Sequence, residues 1–513
     1  MERFLTKIWR TISKRDKLRF VFGFFACLIC NMYIYTNALL AHDGIVLAEE
    51  GTLTGIQNGR PLALLISTFL NGKYASPWVV GFYFCLAMGL TVVFLGKILH
   101  TKHAIWDILI SGILVCNYCL YFTQIYVSTL IAYAAAMLFT VVGVWFCIKR
   151  TWGNILVGAL FLLAGLCCYQ AYICLALVLF VLDVIRDVQK GESRTKDILL
   201  KGLSYIAIAA GVMIVYYGIW QLGIVITAKN ELNYRGYSNT MSSISPLNLI
   251  TSWMLGMLMY FRGYLKGVSL VASICLTILS IVAAFAFFFK ERKRKAGSSI
   301  LLLLLVLFAM PISSAFIYVL NPGIIPPRMC CGIIAPALLL IMTVNNFSLK
   351  GIKGKTVIKW ATLILSVLLI IGQFSAANAF YLQIDIAQKT TYAFASRFMD
   401  RLEQIEGFTN KTVVVVVCDE TVVMYEDAAW SDDIVGMGNM VAGASYLPWF
   451  IKSNMNTPID IVFDWGNDFK DNESVKALDC FPSENFYVWI DGRLIVKLPA
   501  LSSAGMVDNT TEP

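Results

Sequence analysis

Charged residues are scarce in this sequence. Only 14% of the 513 residues are Asp, Glu, Lys or Arg, whereas 58% are hydrophobic, and the mean hydropathy is +0.71. A water-soluble protein of this composition would expose far too much apolar surface, so a soluble globular protein is excluded. The composition predicts a polytopic α-helical membrane protein whose main solvent is the lipid bilayer.

Histidine and the common nucleotide-binding motifs are also scarce or missing. There are three histidines, and His100 and His103 fall in a predicted cytoplasmic turn, so no zinc site is expected. Neither GxGxxG nor GxxxxGKS/T occurs, which argues against a dinucleotide site or a P-loop. The net charge of +9 comes from short basic turns between apolar runs. Because these residues do not form one soluble face, no nucleic-acid partner is expected.

Apolar runs recur before residue 380, most of them near the length needed to cross about 30 Å of hydrocarbon. The eleven predicted spans are residues 19–40, 78–99, 105–122, 125–148, 153–168, 170–185, 202–225, 267–289, 299–320, 329–347 and 358–379. The first run lacks a small-residue cleavage site, so we interpret it as a retained signal anchor. Residues 61–70 and 246–262 are too short or too polar to cross, and we expect them to be interfacial helices.

Basic residues predict the orientation of these spans. With the N-terminus in the cytoplasm, 25 of the 41 Lys and Arg residues fall in cytoplasmic segments and only seven in outer loops before residue 380. Adding or removing one span would invert all later loops and reverse this bias. The pattern therefore favours a cytoplasmic N-terminus and an extracytoplasmic C-terminus.

Two features of the predicted spans leave alternatives. The runs on either side of Cys168-Tyr169-Gln170 are short, so they are either two short helices or one long kinked element. Twelve of the fourteen cysteines lie in or beside apolar runs, where small apolar packing residues are the favoured interpretation. Cys418 and Cys480 lie in the C-terminal tail, where a disulfide between them is one alternative.

The composition changes near residue 380. The segment "AFYLQIDIAQKTTYAFASRFMDRLEQIEG" has helical apolar spacing, "KTVVVVVCD" indicates a buried strand, and "FYVWIDGRLIVKL" indicates a hairpin with an Asp-Gly turn. The sequence therefore predicts a transmembrane domain over residues 1–379 and a small extracytoplasmic α/β domain over residues 380–513.

The first outer loop carries the most informative polar residues. It reads "NALLAHDGIVLAEEGTLTGIQNGRPLALLISTFLNG" and contains His42, Asp43, Glu49, Glu50 and Arg60. Carboxylates at a membrane boundary, near an arginine, could act as a general base toward a lipid-linked anion. The alternative is that these groups only solvate the loop and mark helix ends.

Other polar residues are predicted at the same outer side. Arg262 and Arg328, like Arg60, could contact a phosphate at headgroup depth, or could simply snorkel to the interface. Tyr169 and Gln170 lie at the outer junction of two short helices, where they could face a protein-lined cavity or cap a helix.

Three segments resemble one known family. These segments are "HDG…GRPLALLISTFL", "CCYQAYICLALVLF" and "NAFYLQIDIAQKTTYAFASRFMDRLEQI", and they resemble the serotype-converting O-antigen glucosyltransferases (Gtr type II). The resemblance extends over most of the chain as a spaced pattern. It implies a GT-C type integral glycosyltransferase of the bacterial inner membrane, which moves a sugar such as glucose from a polyprenyl-phosphate carrier to a surface glycan on the outer side.

The resemblance also implies roles for individual residues. Asp43 matches the acidic position that activates the acceptor hydroxyl, and Tyr169 and Gln170 would lie near the sugar or acceptor. The family pattern has paired acidic residues, but Gly44 follows Asp43. Asp43 could therefore act alone or with Glu49 or Glu50, or one of the glutamates could be the base. The acidic loop could hold Mg²⁺ or Mn²⁺, or act without a divalent cation.

Two other functions fit the composition. A transporter or a flippase of lipid-linked glycans would have a similar number of spans, but no internal repeat is evident and the ionisable groups cluster at the outer boundary. A non-catalytic assembly protein would leave the acidic loop without a role. We therefore predict the enzyme, with the lipid-linked sugar, the glycan acceptor and the bilayer as partners, and a lipid-charging glycosyltransferase and a flippase as further candidates.

Overall fold

The computed structural model describes residues 12–39, 55–71, 75–227, 245–261, 267–290, 296–320, 327–346, 355–423 and 447–500. These residues form two compact units. A helical unit contains most of the described residues up to Asn378, and a smaller unit contains those from Ala379 onwards together with residues 37–39 and Ile125–Ser128.

The helical unit is built from apolar helices joined by short turns. In chain order they are α1 (Lys14–Asn37), α2 (Pro61–Asn71), α3 (Pro77–Ile98), α4 (Ala104–Val115), α5 (Tyr118–Thr123), α6 (Val127–Cys147), α7 (Trp152–Cys168), α8 (Ile173–Lys190), α9 (Thr195–Thr227), α10 (Pro246–Phe261), α11 (Gly267–Lys290), α12 (Ala296–Leu304), α13 (Met310–Ser314), α14 (Ile317–Leu320), α15 (Ala335–Asn346) and α16 (Lys355–Glu403). A π-helical turn (Leu305–Ala309) joins α12 to α13, and 3₁₀ turns cover Gln170–Tyr172, Pro327–Met329 and Cys331–Ile334.

Six helices in the described part of the chain are long and apolar enough to cross a membrane. They are Lys14–Asn37, Pro77–Ile98, Val127–Cys147, Thr195–Thr227, Gly267–Ala286 and Thr356–Glu403. Each coincides with an expected span, and many of their large apolar side chains are exposed, as lipid-facing residues would be. The chain is therefore a multi-pass helical membrane protein, but the expected number of eleven spans is not confirmed.

The other expected spans fall on shorter or interrupted helices. The run 105–122 is divided into α4 and α5, because the side chain of Asn117 accepts hydrogen bonds from the backbone N–H groups of Cys119 and Leu120. An Asn at this position competes with the helical hydrogen bonds and starts a new helix. The run 153–185 forms two helices, α7 and α8, rather than one kinked element.

Both predicted interfacial segments are helical. They correspond to α2 and α10, and each begins at a proline, which is favoured in the first turn of a helix. Their position along the outer leaflet stays a prediction.

A buried charge network connects α1 to α3 and α4. Asp107 on α4 is 1% exposed and accepts hydrogen bonds from Arg15 at 2.8 Å and from Arg19 at 3.1 Å. Arg19 also donates to the hydroxyl of Thr101 at 2.8 Å and to the carbonyl of Gly96 at 3.3 Å. Because Asp107 compensates both arginines, the network can be buried without an isolated charge.

The smaller unit contains a four-stranded sheet. Its strands are β1 (Val413–Val423), β2 (Asp460–Phe463), β3 (Tyr487–Ile490) and β4 (Arg493–Ala500), in the order β2-β1-β4-β3. Strand β1 is parallel to both neighbours, and β3 and β4 form an antiparallel hairpin. The described residues of this unit also include two short helices, α17 (Leu447–Asn454) and α18 (Glu473–Lys476).

The hairpin confirms the sequence prediction for this region. Asp491 and Gly492 have φ values of 48° and 74°, as a two-residue hairpin turn of this type requires. Helix α16 is continuous over 49 residues, so the expected span 358–379 and the helical segment after it are one element. Neither Cys418 nor Cys480 forms a disulfide.

Candidate functional site

Arg60 is held by a tight turn just before α2. Its backbone N–H donates to the carbonyl of Gly55 at 2.6 Å, and Gly59 has a φ of +70°. Pro61 then starts the helix, and a residue before proline is restricted to extended backbone conformations. The backbone at Arg60 is thus fixed on both sides.

The Arg60 side chain brings together residues that are far apart in the sequence. Its Nε donates to Oε1 of Gln170 at 3.2 Å, and one Nη donates to the hydroxyl of Tyr133 at 3.4 Å. The guanidinium carbon lies 4.9 Å from the centroid of the Tyr169 ring, which is a cation–π distance. Three predicted site residues, Arg60, Tyr169 and Gln170, therefore lie together in the helical unit.

Gln170 connects Arg60 to helix α9. Its Nε2 lies 2.8 Å from the carbonyl oxygen of Asn58, 3.1 Å from that of Gly59, and 2.7 Å from the hydroxyl of Tyr216. The Tyr216 hydroxyl donates in turn to the Gly59 carbonyl at 2.8 Å. Both N–H bonds of the amide are thus used within the protein.

Aromatic rings cluster beside Arg60 and Gln170. The Tyr133 and Tyr169 ring centroids are 4.4 Å apart, and Tyr172 packs edge-on against Tyr169 at 5.1 Å. Trp220 stacks near Tyr216, with ring centroids 6.3 Å apart. Within the described residues, the buried hydroxyl of Tyr169 and the indole N–H of Trp220 have no hydrogen-bond partner. An unsatisfied buried polar group costs about 1–3 kcal/mol, so these groups suit a site that binds a polar ligand.

Arg328 lies in the same region. It is 8% exposed, and its carbonyl accepts a hydrogen bond from the thiol of Cys119 on α5 at 2.8 Å. Arg328 is thus a buried arginine near the helix junctions that also hold Arg60 and Tyr169, and arginines favour binding of an anion.

Three interruptions of helical backbone meet around these residues. They are the α4–α5 break at Asn117, the α7–α8 junction at Tyr169, and the 3₁₀ turns from Pro327 to Ile334. The Cys119 thiol contacts the Arg328 carbonyl, and the Cys331 thiol lies 3.8 Å from the Ala171 carbonyl. Within a membrane, non-helical backbone is tolerated where it is buried in protein or lines a cavity. The convergence therefore marks a candidate site.

Sequence reasoning missed several residues of the site. Tyr133, Tyr216 and Trp220 lie inside long apolar runs, where an aromatic residue is usually a packing or interface residue. The i, i+4 spacing of Tyr216 and Trp220 places them on one face of α9, which is the only sequence signal for their shared role.

Other predicted site residues lie outside the described residues. They are Asp43, Glu49, Glu50 and Arg262. The described part of the chain contains no group of three or more His, Cys, Asp or Glu residues arranged to hold a metal ion.

Replacing Gly59 by alanine should destabilise the protein by about 2 kcal/mol or more. The positive φ of Gly59 is unfavourable for alanine. In addition, the alanine Cβ would lie 2.3 Å from the Tyr216 hydroxyl and 2.9 Å from Nε2 of Gln170. Unfolding of the detergent-solubilised protein would measure the change. The matched control is Gly218→Ala on α9, where a Cβ meets nothing within 4 Å. Equal unfolding midpoints for the two variants would contradict this prediction.

Comparison with known proteins identifies one family. A family model described as "Glucosyl transferase GtrII" matches residues 32–345. The match covers more than half of the chain, includes Arg60, Tyr169, Gln170 and Arg328, and confirms the resemblance found from the sequence segments. No curated protein and no solved structure matches the chain.

Proposed function

We propose that this chain, which belongs to the glucosyl transferase GtrII family and is a membrane glycosyltransferase, transfers glucose from a polyprenyl-phosphate carrier to a surface polysaccharide such as an O-antigen. The observation that carries the proposal is the Arg60 guanidinium over the Tyr169 ring, with the buried Arg328 in the same unit of apolar helices. A donor with a phosphate group and a lipid tail matches both the arginines and the surrounding apolar surface.

The proposed reaction exchanges one bond at the anomeric carbon. The oxygen of the acceptor hydroxyl attacks this carbon, the bond from the carbon to the phosphate oxygen breaks, and polyprenyl phosphate leaves with the bonding electrons. Negative charge develops on the leaving phosphate, so pre-positioned guanidinium groups stabilise the transition state more than the bound donor. Arg60 and Arg328 supply these groups in the proposal, with Arg262 as a third candidate.

A carboxylate must accept the proton of the attacking hydroxyl. We assign this role to Asp43, with Glu49 and Glu50 as the alternative or assisting carboxylates. All three precede the turn that holds Arg60 by fewer than twenty residues. A positioned general base contributes about 10²–10⁴-fold to such a reaction. The same acidic loop could hold Mg²⁺ or Mn²⁺, or act without a cation. Attack opposite the leaving phosphate would invert the anomeric centre.

The proposed location is the outer side of the bacterial inner membrane. The bias of Lys and Arg toward alternate turns supports a cytoplasmic N-terminus and an extracytoplasmic domain over residues 380–513. A GT-C architecture with about eleven spans belongs to the same proposal. The lipid-linked donor would be supplied by a lipid-charging glycosyltransferase and delivered across the bilayer by a flippase.

The test compares surface glycans by mass spectrometry. Cells would carry the wild-type chain, Asp43→Asn, the control Asp471→Asn in the C-terminal unit, or no copy, with equal membrane abundance of the three proteins. A hexose substituent should appear with wild type and the control only. If the Asp43→Asn protein is active, the general base must be assigned to Glu49 or Glu50 instead. If removal of the chain leaves the glycan unchanged, the proposed function is wrong.

A further inference from the structure

We propose that Gln170 and Tyr216 are positioning residues that set the reach of the Arg60 guanidinium, and that neither donates a hydrogen bond to the substrate. This inference rests on the proposed function, because it assigns Arg60 to the phosphate of the lipid-linked donor. It differs from the sequence expectation for Gln170, which placed its amide beside the sugar or acceptor.

The direction of each hydrogen bond follows from the chemistry of Arg60. Its Nε can only donate, so the Gln170 atom at 3.2 Å must be the carbonyl oxygen of the amide. The NH₂ group then points to the turn and to α9, where it lies 2.7 Å from the Tyr216 hydroxyl. Tyr216 accepts there and donates its own proton to the Gly59 carbonyl at 2.8 Å. The orientation of the amide is therefore determined by its partners.

These hydrogen bonds leave Gln170 without a free N–H group that could donate to a sugar. Its two N–H bonds are shared among the carbonyls of Asn58 and Gly59 and the Tyr216 hydroxyl, all within 3.1 Å. The proton of the Tyr216 hydroxyl is likewise committed to the Gly59 carbonyl. Donating a hydrogen bond from either group to the substrate would require breaking the bonds that hold the turn. Both residues therefore act through Arg60 in this proposal.

The hydrogen bonds of Tyr216 also explain why α9 belongs to the site. Tyr216 is 9% exposed and lies on a 33-residue helix, 157 positions after Gly59 in the turn that it contacts. An arginine side chain is long and has many rotamers, so its guanidinium binds a phosphate well only when it is held in advance. Tyr216 fixes the backbone before Arg60, and Gln170 fixes the Nε of the side chain itself.

The experiment is a double-mutant cycle between Tyr216→Phe and Arg60→Ala. Each variant would be purified in detergent and assayed with polyprenyl-phosphate glucose as donor and isolated surface polysaccharide as acceptor. In the wild-type background, Tyr216→Phe should lower kcat/KM for the donor about tenfold, since a hydrogen bond that supports a charged group is lost. The effect should lie in the donor KM, with the acceptor KM unchanged.

The Arg60→Ala background distinguishes positioning from a general structural role. If Tyr216 acts through Arg60, Tyr216→Phe should change kcat/KM less than about twofold in this background, because the group that it positions is absent. The matched control is Tyr217→Phe on the same helix, where the ring is 39% exposed. The control should leave the donor KM unchanged in both backgrounds.

Two outcomes would overturn the inference without contradicting the proposed glucosyltransferase function. One is an equal loss of kcat/KM on Tyr216→Phe in both backgrounds, which would indicate a structural role. The other is wild-type donor kinetics in Tyr216→Phe. A wild-type protein that transfers no glucose from the lipid-phosphate donor would instead overturn the proposed function, so the two failures are distinguishable.

Discussion

Replacing Arg60 by alanine should lower kcat/KM for the lipid-phosphate donor by a factor of about 10²–10³. The guanidinium lies over the Tyr169 ring and donates to Gln170 and Tyr133, so it is positioned before the donor binds. Its loss removes a charge that stabilises the developing negative charge on the leaving phosphate. Steady-state kinetics at several donor concentrations would measure the change.

Arg60→Lys should recover only part of this activity. A lysine ammonium is a point charge and cannot reproduce the planar fork of donors, nor stack on Tyr169 as a guanidinium does. The matched control is Arg194→Ala, an exposed arginine in the turn between α8 and α9. If Arg60→Ala has the wild-type kcat/KM, Arg60 does not bind the donor and the prediction is wrong.

Replacing Asp107 by alanine should destabilise the helical unit by about 3–5 kcal/mol. The carboxylate is 1% exposed and pairs with both Arg15 and Arg19, while Arg19 is itself 5% exposed. Without Asp107, the charge of Arg19 would stay buried beside α3 with Asp16 as its remaining carboxylate partner among the described residues. Unfolding of the detergent-solubilised protein, together with its abundance in membranes, would measure the loss.

A double variant separates the loss of the ion pair from the loss of packing. Asp107→Leu combined with Arg19→Met removes both charges and should recover much of the stability lost in either single variant, because a buried ion pair is often no more stable than apolar residues of similar size. The control Asp197→Ala, at an exposed position in the first turn of α9, should cost less than about 1 kcal/mol. Equal losses in Asp107→Ala and Asp197→Ala would contradict the prediction.

Hydropathy alone does not predict the break between α4 and α5. The run 105–122 is mostly apolar, and its composition predicts one span. The structure ends α4 at Val115 because Asn117 caps the next helix with its side chain. A short polar side chain inside an apolar run can either face a neighbour or cap a new helix, and composition alone does not distinguish these outcomes.

The sequence by itself determined the membrane class, the six helices that are long and apolar enough to cross a membrane, the Asp-Gly hairpin and the family. Each depends on residues that are close together in the chain, since hydropathy, turn chemistry and short motifs are local properties. It also predicted Arg60 as a site residue from its place in the acidic first outer loop, and Tyr169 and Gln170 from their place at the junction of two short apolar runs.

Only the tertiary structure decided how these residues are connected. The bond from Arg60 to Gln170 spans 110 positions, and the one from Tyr216 to Gly59 spans 157. Which helix faces meet depends on the packing of the whole unit, so no local pattern predicts that a tyrosine in the middle of α9 supports the turn before Arg60. The tertiary structure thereby gives the basis for proposing a positioning role for Gln170, because both N–H bonds of its amide are already used within the protein.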